Sequence, residues 1–378
     1  MKILPVFFVI LLFSCSDQSK QRSAVPQPEK TVYQNKWIER AYLIGKQFYK
    51  VYNGGWESGY GAIGDAYLFR VTGDSLLLHR YTTTFDLKKM DNGTWVDDRA
   101  WICLAELYWW EFSGKTNRSW IDDARQRYLE ARAEGRLSNH EGFWSWYNYP
   151  PQSNVREPIF TNSNMNQLVG VACKLYDATG DQRFLNDALL VWNGDNITPG
   201  IEKQFYRGNG LWGGKSGKAA FGKELPWESA SYLSVLAALY HSTNNTHFKE
   251  IAVASAKHIT DPKNGWVDLE DFYQIHMDGN GAFVNFLLDA YMIAPDELQD
   301  IPGKVEKMLD HVWTNHHGHA LLMLHRTYDH GIRNGWNPNG GEDGYGVDEI
   351  GTVHAQGEAL RAFGVFAYVK TKLILETH

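Results

Sequence analysis

Cysteine is scarce in this chain, and long apolar runs are nearly absent from it. Three cysteines occur among 378 residues, at Cys15, Cys103 and Cys173. So few thiols exclude a fold that depends on a framework of disulfide bonds. Cys103 and Cys173 fall within apolar helical patterns and are expected to be small buried side chains. Beyond the N-terminal segment, no apolar run approaches the roughly 18 residues of a transmembrane helix, so any membrane attachment is expected to involve the N-terminus.

Positive charge is in short supply as well. Lys and Arg number 37 against 44 Asp and Glu, which gives a formal net charge of -7. No basic run stands out, and nucleic-acid binding draws much of its affinity from basic side chains that contact phosphates. Nucleic acid is therefore not expected as a partner.

The N-terminus reads MKILPVFFVILLFSC, which is one lysine, an apolar run and a cysteine. This order is typical of a secretory signal, and its end resembles the lipobox of bacterial lipoproteins. It predicts a signal peptide over residues 1–14, a lipid on Cys15 and a flexible tether over residues 15–33. An ordinary signal peptide that ends near a cysteine is the alternative. The expected location is the cell envelope, with the lipid holding the protein to the outer membrane or cell surface of a bacterium.

Aromatic side chains are abundant, with 15 Trp, 20 Tyr and 18 Phe. Many lie in Gly- and Asn-rich segments, such as GFWSWYNYPP (142–151) and RNGWNPNGGEDGYG (333–346). A sugar offers C–H faces that stack on aromatic rings and hydroxyls that bond to polar groups. The composition therefore favours a carbohydrate site on loops, with a polysaccharide or oligosaccharide as the partner.

Helical periodicity recurs along the chain, whereas strand-like alternation is rare. Leu168, Val171 and Leu175, for example, follow the spacing of one helix face. LYDATGDQRFLNDAL (175–189) and three similar segments each read as helix, short polar turn, helix. Such repeated hairpins predict an all-α (α/α)6 toroid built as a single domain over residues 34–378, with an open superhelix as the alternative. In a closed ring, one end of every hairpin faces a common rim.

Two adjacent acids, Asp97 and Asp98, lie in NGTWVDDRAW at the predicted start of a helix. A structural role is one interpretation, because Asp caps helices well and an acid in the first turn suits the helix dipole. Catalysis is the other interpretation. Glycoside hydrolysis uses two carboxyl groups, one ionised and one protonated. A helix N-terminus would keep one of them ionised, whereas packing against Trp95 or Trp101 would raise the pKa of the other.

The segment WVDDRAWICLAELYWWEFSG resembles the signature of glycoside hydrolase family 76, the α-1,6-mannanases. The Asn-rich helix and Thr-Gly-Asp turn of 161–192 are similar to the family's, and 227–245 and 281–291 follow in the expected order. This resemblance implies an (α/α)6 barrel that cleaves α-1,6-linked mannan with retention of configuration. It also implies that Asp97 is the nucleophile and Asp98 the acid/base.

Further residues are candidates for sugar contacts because they are aromatic or polar and lie in loops or near predicted helix starts. Asn166 is one of them through the family resemblance. The expected substrate-binding residues are Trp95, Trp101, Trp144, Trp146, Asn166, Trp227, Glu228 and Asp278. The alternative for such positions is a role as a core residue or a helix cap.

No metal or cofactor is expected. His316, His317 and His319 lie close in sequence but lack an evident further ligand. The oxygen-rich segment 337–349 lacks the spacing of a Ca²⁺ loop. The segment 208–218 fails the phosphate-loop pattern at its first glycine position.

Other functions remain open. An unsaturated glucuronyl hydrolase or a sugar epimerase would use the same toroid. The first usually displays basic groups for a uronate, and the second works through histidine pairs, for which His316, His319 and His354 are candidates. A non-catalytic glycan-binding lipoprotein would use the same aromatic residues. The protein is expected to be a monomer.

Overall fold

The computed structural model describes residues 35–52, 54, 58–85, 96–134, 136–137, 140–144, 162–196, 200–212, 226–264, 280–316 and 353–376. The α-helices in these ranges are α1 (Lys36–Val51), α2 (Ser58–Thr72), α3 (Ser75–Thr84), α4 (Val96–Phe112), α5 (Arg118–Glu134), α6 (Asn162–Thr179), α7 (Gln182–Asn193), α8 (Ile201–Phe205), α9 (Pro226–Thr243), α10 (Thr246–Ile259), α11 (Asn280–Ile293), α12 (Ile301–His316) and α13 (Val353–Glu376). Two short antiparallel pairs accompany them: β1 (Arg136–Leu137) with β2 (His140–Trp144), and β3 (Tyr206–Gly208) with β4 (Leu211–Trp212). Within the described part of the chain, no helix combines the length and apolarity needed to cross a bilayer.

Six of these helices form a closed inner ring. α2 packs on α4, α4 on α6, α6 on α9, α9 on α11 and α11 on α13, and α13 packs back against α2. Six more lie outside: α1 against α13, α3 against α2, α5 against α4, α7 against α6, α10 against α9, and α12 against α11 and α13. The predicted all-α (α/α)6 toroid is thereby confirmed, and closure of the ring excludes the open superhelix.

Burial separates the inner helices from the outer ones. The predicted core face of α4, which includes Trp101, Leu104 and Tyr108, is buried, and Cys103 on another side of the helix is buried too. An inner helix is enclosed because it contacts two ring neighbours and an outer helix at once, whereas outer helices such as α5 keep a polar face toward solvent. Cys103 and Cys173 are both buried, as predicted, and neither forms a disulfide.

Three hairpins share one turn, which the sequence repeats as Thr-Gly-Asp or Thr-Asn-Asn. In each turn the Thr hydroxyl donates to the carbonyl four residues earlier and accepts the N–H two residues later, at 2.6–3.2 Å. Gly73, Gly180 and Asn244 follow with φ of 63°, 71° and 56°, the left-handed geometry that ends a helix. Asp or Asn then caps the next helix, as where the Asp181 side chain accepts the Arg183 N–H.

The inner helices run in the same direction. A Cβ on Gly59, near the start of α2, would lie 3.3 Å from Trp101, near the start of α4. About two turns further along both helices, the rings of Tyr67 and Tyr108 are 5.0 Å apart. Contacts therefore advance together along α2 and α4, which fixes the two helices as parallel.

The same register holds elsewhere in the ring. Gln167 Nε2 on α6 donates to the carbonyl of Ser231 on α9 at 3.0 Å, and the Ala282 N–H on α11 donates to Glu358 Oε2 on α13 at 2.9 Å. All four residues lie within the first two turns of their helices. The end of the ring where the inner helices begin is called the rim below, and it gathers six helix N-termini.

Candidate active site

Asp97 and Asp98, called the Asp pair below, lie at the rim. α4 begins at Val96, so the two acids are its second and third residues, and the predicted helix start is confirmed. Their side chains lie outside the described residues. N–H groups of a first helical turn lack partners inside the helix, and the helix dipole favours negative charge there. The position therefore suits an ionised carboxylate.

Closure of the ring brings other predicted residues to the same end of the molecule. Asn166 is the fifth residue of α6, and Trp227 and Glu228 are the second and third residues of α9. Trp144 ends β2, in the connection between α5 and α6 that leads to the rim. These are backbone positions, and the four side chains lie outside the described residues.

Not all of the predicted positions lie within the described residues. Trp95, Trp146 and Asp278 lie outside the described residues, as do Cys15 and the tether. Of the histidines considered for an epimerase, His316 ends α12, and His354 is the second residue of the inner helix α13, which places its backbone at the rim. His319 lies outside the described residues. Within the described ranges, no group of three or more His, Cys, Asp or Glu side chains is arranged to hold a metal ion.

Trp101 is described in full, and it is packed below the rim. Its side chain is 3% exposed, with ring centroids 5.1 Å from Tyr60 on α2 and 6.5 Å from Phe286 on α11. A ring that stacks on sugar needs an open face, and this one has none in the described packing. The structure therefore favours the core alternative for Trp101, as part of the layer on which the site rests.

The sequence reasoning missed a buried arginine in this layer. Arg361 on α13 is 1% exposed, and its guanidinium lies 5.1 Å from the Trp101 ring, 5.5 Å from Tyr60 and 5.3 Å from Phe286. The set Tyr60, Trp101, Phe286 and Arg361 is called the floor. The signal that could have revealed Arg361 is a charged residue between the apolar positions of GEALRAFGVF, where an inner helix leaves no solvent-facing side.

Polar contacts continue from the floor along α11. Arg361 Nε donates to Asn285 Oδ1 at 2.8 Å, and Asn285 Nδ2 donates to Asp289 Oδ1 at 3.1 Å. Burial raises the pKa of Asp289 to about 6, against the opposing effects of Ser234, Lys174, Arg361 and Asn285. The interior of the ring thus contains a hydrogen-bonded chain of polar side chains, and not only apolar packing.

Glu358 adds a carboxylate close to the rim. It is 2% exposed on α13, and its Oε2 accepts the Ala282 N–H in the first turn of α11. A glutamate of one inner helix therefore satisfies an N–H group that the start of its neighbour would otherwise leave unpaired. Glu358 was not among the residues predicted from sequence.

A separate cavity of about 850 Å³ lies on the outer wall, lined in part by Asn193, Glu202, Tyr206 and His247. Glu202 there accepts bonds from Trp192 Nε1 and His247 Nε2, both at 2.9 Å. The cavity lies beside the last residue of α9, at the opposite end of that helix from the rim. It does not coincide with the Asp pair.

No protein-family model matches the chain. No curated protein matches it either.

Solved structures do share its fold. An inactive variant of an α-1,6-mannanase from a Salegentibacter species, with two adjacent aspartates replaced by asparagine and α-1,6-mannotriose bound, has a TM-score of 0.65 at 15% identity, over 88% of this chain and 99% of that chain. A glycoside hydrolase family 76 mannosidase from Bacteroides thetaiotaomicron has a TM-score of 0.59 at 15% identity, over 90% and 100%. An unsaturated glucuronyl hydrolase specific for heparin has a TM-score of 0.61 at 11% identity, over 89% and 97%. At these identities the similarity establishes the fold alone.

Proposed function

We propose that this protein is a glycoside hydrolase of family 76 that cleaves α-1,6-linked mannan. The observation that carries the proposal is the place of the Asp pair, in the first turn of an inner helix at the rim of a toroid. In the Salegentibacter α-1,6-mannanase, which has the same fold, a variant with two adjacent aspartates replaced is inactive. The resemblance of WVDDRAWICLAELYWWEFSG to the family 76 signature supports the same conclusion.

The proposed mechanism gives the two acids different roles. Asp97 attacks the anomeric carbon while Asp98 donates a proton to the departing glycosidic oxygen, which leaves a mannosyl ester on Asp97. Asp98 then takes a proton from water as that water attacks the same carbon from the opposite side. Two inversions give net retention, and this chemistry requires carboxyl groups about 5–5.5 Å apart.

The helix start supports this division of labour. Free N–H groups and the helix dipole stabilise a carboxylate in the first turn, which suits the nucleophile. The second carboxyl lies beside a like charge, which raises its pKa and favours the protonated form that an acid catalyst needs. Adjacent positions in one helical turn thus supply both protonation states.

A neutral glycan fits the other rim positions best. Trp144 and Trp227 offer rings for sugar faces, and Asn166 and Glu228 offer partners for hydroxyl groups. The solved Salegentibacter variant binds α-1,6-mannotriose. A linear α-1,6-linked mannan is therefore the substrate that we assign.

A uronide is the second candidate, because the fold is also that of an unsaturated glucuronyl hydrolase. That reaction calls for a cation that reaches the uronate carboxyl. Arg361 lies below the rim with the required charge, but at 1% exposure it is closed off by the aromatic rings of the floor. Arg361 is therefore not placed to meet a uronate carboxyl, and the described residues of the floor do not favour the uronide.

The proposal includes attachment to the bacterial cell surface through a lipid on Cys15. The lipobox-like end of the N-terminal apolar run supports it. Metabolic labelling with an alkyne fatty acid should mark the parent protein in the membrane fraction and leave a Cys15→Ser variant unmarked. A Cys15→Ser variant that keeps both label and membrane location would remove this part of the proposal.

Product analysis tests the activity. The protein is incubated in parallel with linear α-1,6-mannan, with an α-1,2-linked mannan and with an unsaturated uronide, and the products are separated by chromatography. We expect oligosaccharides from α-1,6-mannan alone, with the α anomer appearing first in proton NMR. Cleavage of the uronide alone would establish the second candidate. Binding of mannan without cleavage would identify a glycan-binding protein.

A further inference from the structure

Arg361 places a positive charge inside the ring, just below the rim. The residue belongs to α13, yet its guanidinium lies 5.1 Å from the ring of Trp101 on α4, a helix two places away in the ring. Its contacts with Tyr60 on α2 and Phe286 on α11 come from the two neighbours of α13. The side chain therefore reaches across the interior of the barrel and does not stay against its own wall.

The guanidinium is fixed in place but only partly bonded. Its Nε donates to Asn285 Oδ1 at 2.8 Å, whereas the buried Nη1 has no hydrogen-bond acceptor among the described residues. Aromatic rings stabilise a cation through their faces without neutralising its charge. The charge of Arg361 is therefore not neutralised by an ion pair within the floor, and its field acts on nearby groups.

The Asp pair begins the helix that carries Trp101. Asp97 precedes Trp101 by about one turn, a rise of roughly 6 Å, and helical side chains lean toward the N-terminus. Because the guanidinium contacts the Trp101 ring, we take its separation from the first turn of α4 to be on the order of 10 Å. At that separation and an effective dielectric constant of about 20, a unit charge changes a carboxyl pKa by on the order of one unit.

The described residues of the inner helices carry other charged side chains that are buried or partly buried. They are Asp65 on α2, Arg99 and Glu106 on α4, Lys174 on α6, Asp289 on α11 and Glu358 on α13, while the described residues of α9 bury no charged side chain. Asp65 and Glu106 face outward and are paired with Arg80 and Arg127 of the outer ring, and Glu358 is bonded to the start of α11. Arg361 is the cation that contacts the residue one turn below the Asp pair.

We propose that Arg361 is a positioning residue of the candidate active site: its guanidinium holds the Trp101 ring under the first turn of α4 and keeps one acid of the Asp pair ionised. The catalytic meaning of this role rests on the proposed function. Its physical content, a charge that acts on the Asp pair, is measurable without any substrate.

Carboxyl titration by NMR tests the proposal on the full chain. Protein labelled with ¹³C at the aspartate side-chain carboxyl is titrated, and Asp97→Asn and Asp98→Asn assign the two resonances. In Arg361→Met, we expect the lower of the two pKa values to rise by about one unit, because loss of a nearby cation favours the neutral acid. Arg361→Lys should restore most of the parent value, because it retains the charge.

A partly buried arginine that is paired with a buried carboxylate provides the control. Arg80→Met removes a guanidinium that is paired with Asp65 on the outer side of α2, so it should destabilise the fold without moving the Asp pair titration. A purely structural Arg361 would give the same pattern as Arg80, with lower stability and unchanged carboxyl pKa values, and that result overturns the proposal. Arg361→Gln, which keeps a donor for Asn285, replaces the Met variant if the latter does not fold.

Activity on α-1,6-mannan, measured on the same variants, separates the two proposals. If Arg361→Met shifts the carboxyl titration but the parent cleaves no mannan, Arg361 acts on the Asp pair and the mannanase function is refuted. Cleavage by the parent, with equal titrations in the parent and Arg361→Met, would keep the function and refute the role of Arg361. The acidic limb of the rate profile should move to higher pH together with the titration.

Discussion

Single residues inside the toroid show how burial governs charge. Asp289 is buried in α11, and desolvation raises its pKa to about 6, even though Ser234, Lys174 and Arg361 all act in the opposite direction. An aspartate in the unfolded chain has a pKa near 3.9. Between these two values the folded state holds a proton that the unfolded state releases, so stability falls as the pH rises.

Asp289→Asn should remove this pH dependence. The stabilising contribution of protonated Asp289 is complete below about pH 4 and is lost as the pH rises through the folded pKa of about 6. Across that window the parent should lose about 3 kcal/mol of unfolding free energy relative to the variant. Urea denaturation at several pH values measures the difference, and parallel curves for the two proteins would contradict the account of Asp289.

Asp181→Asn is a control of opposite sign. Hydrogen bonds from Arg183 lower the Asp181 pKa to about 2 in the folded state. Its contribution is therefore present above about pH 4 and is lost as the pH falls toward 2. On acidification, the unfolding free energy of the parent should therefore fall relative to that of Asp181→Asn. Relative to Asp289→Asn, it should rise.

Asp65 and Arg80 give a second prediction for single residues. Asp65 has a fully buried side chain, and it accepts bonds from Arg80 Nη2 at 3.0 Å and from the Tyr49 hydroxyl. Arg80→Met leaves this carboxyl without its cation and should cost about 3 kcal/mol of unfolding free energy at pH 7. Lys249→Met breaks a pair at 2.8 Å whose carboxylate, Glu297, is exposed, and it should cost much less. Equal losses in thermal or urea unfolding would contradict this difference in burial.

Some residues of the site could be predicted from sequence, and others could not. The place of the Asp pair at a helix start was predicted from local sequence and is confirmed, whereas its catalytic role comes from the family resemblance and stays a prediction. Trp101 was expected to contact sugar, but its position inside an enclosed helix gives it a packing role. Arg361 and Asn285 were missed because their contact joins residues 76 positions apart, and nothing in either local segment indicates the other.

At the scale of helices, the seam between α2 and α13 closes the ring. A Cβ on Gly64 would lie 2.4 Å from the carbonyl oxygen of Leu360, and one on Gly364 would lie 2.4 Å from the carbonyl oxygen of Gly64. The two backbones therefore approach more closely than any larger residue at these positions would allow. First and last inner helices are joined by this glycine contact.

Gly64→Ala should force α2 and α13 apart. Because the clash is with backbone and not with a flexible side chain, we expect a loss of about 3 kcal/mol or more in unfolding free energy. Gly170→Ala on the inner helix α6 is the control, since a Cβ there meets no atom of the described residues within 4 Å. That variant should gain about 0.5–1 kcal/mol from higher helix propensity. Chemical denaturation measures the unfolding free energy of both variants. An unchanged unfolding free energy for Gly64→Ala would contradict the close approach of α2 and α13.

Helices and hairpin turns could be predicted from sequence, whereas closure of the ring could not be predicted from periodicity. The Thr-Gly-Asp turns were recognised because each is built from neighbouring residues whose bonds and left-handed φ are local. Closure depends on Gly64 meeting Leu360, far apart in the chain, so periodicity left both the closed ring and the open superhelix standing. The family resemblance favoured the ring, and the packing of α13 on α2 confirms it.

At the scale of the whole molecule, the toroid concentrates helix N-termini at one end. Six parallel inner helices direct their first turns to the rim, so their dipoles add positive potential where the Asp pair lies. The chain as a whole is acidic, with a formal charge of -7. A rim that stabilises carboxylates in an otherwise acidic protein is consistent with catalysis on a neutral polymer.

The catalytic role of the Asp pair is tested by comparing two pairs of adjacent aspartates in one protein. Initial rates on linear α-1,6-mannan are measured for the parent, for Asp97→Asn and Asp98→Asn, and for Asp122→Asn and Asp123→Asn. The latter two replace an exposed pair in the outer helix α5. The account predicts a loss of at least about 100-fold for each change at the rim and parental rates for both changes in α5. Parental rates for Asp97→Asn and Asp98→Asn would contradict it and leave the Asp pair as a structural feature of the start of α4.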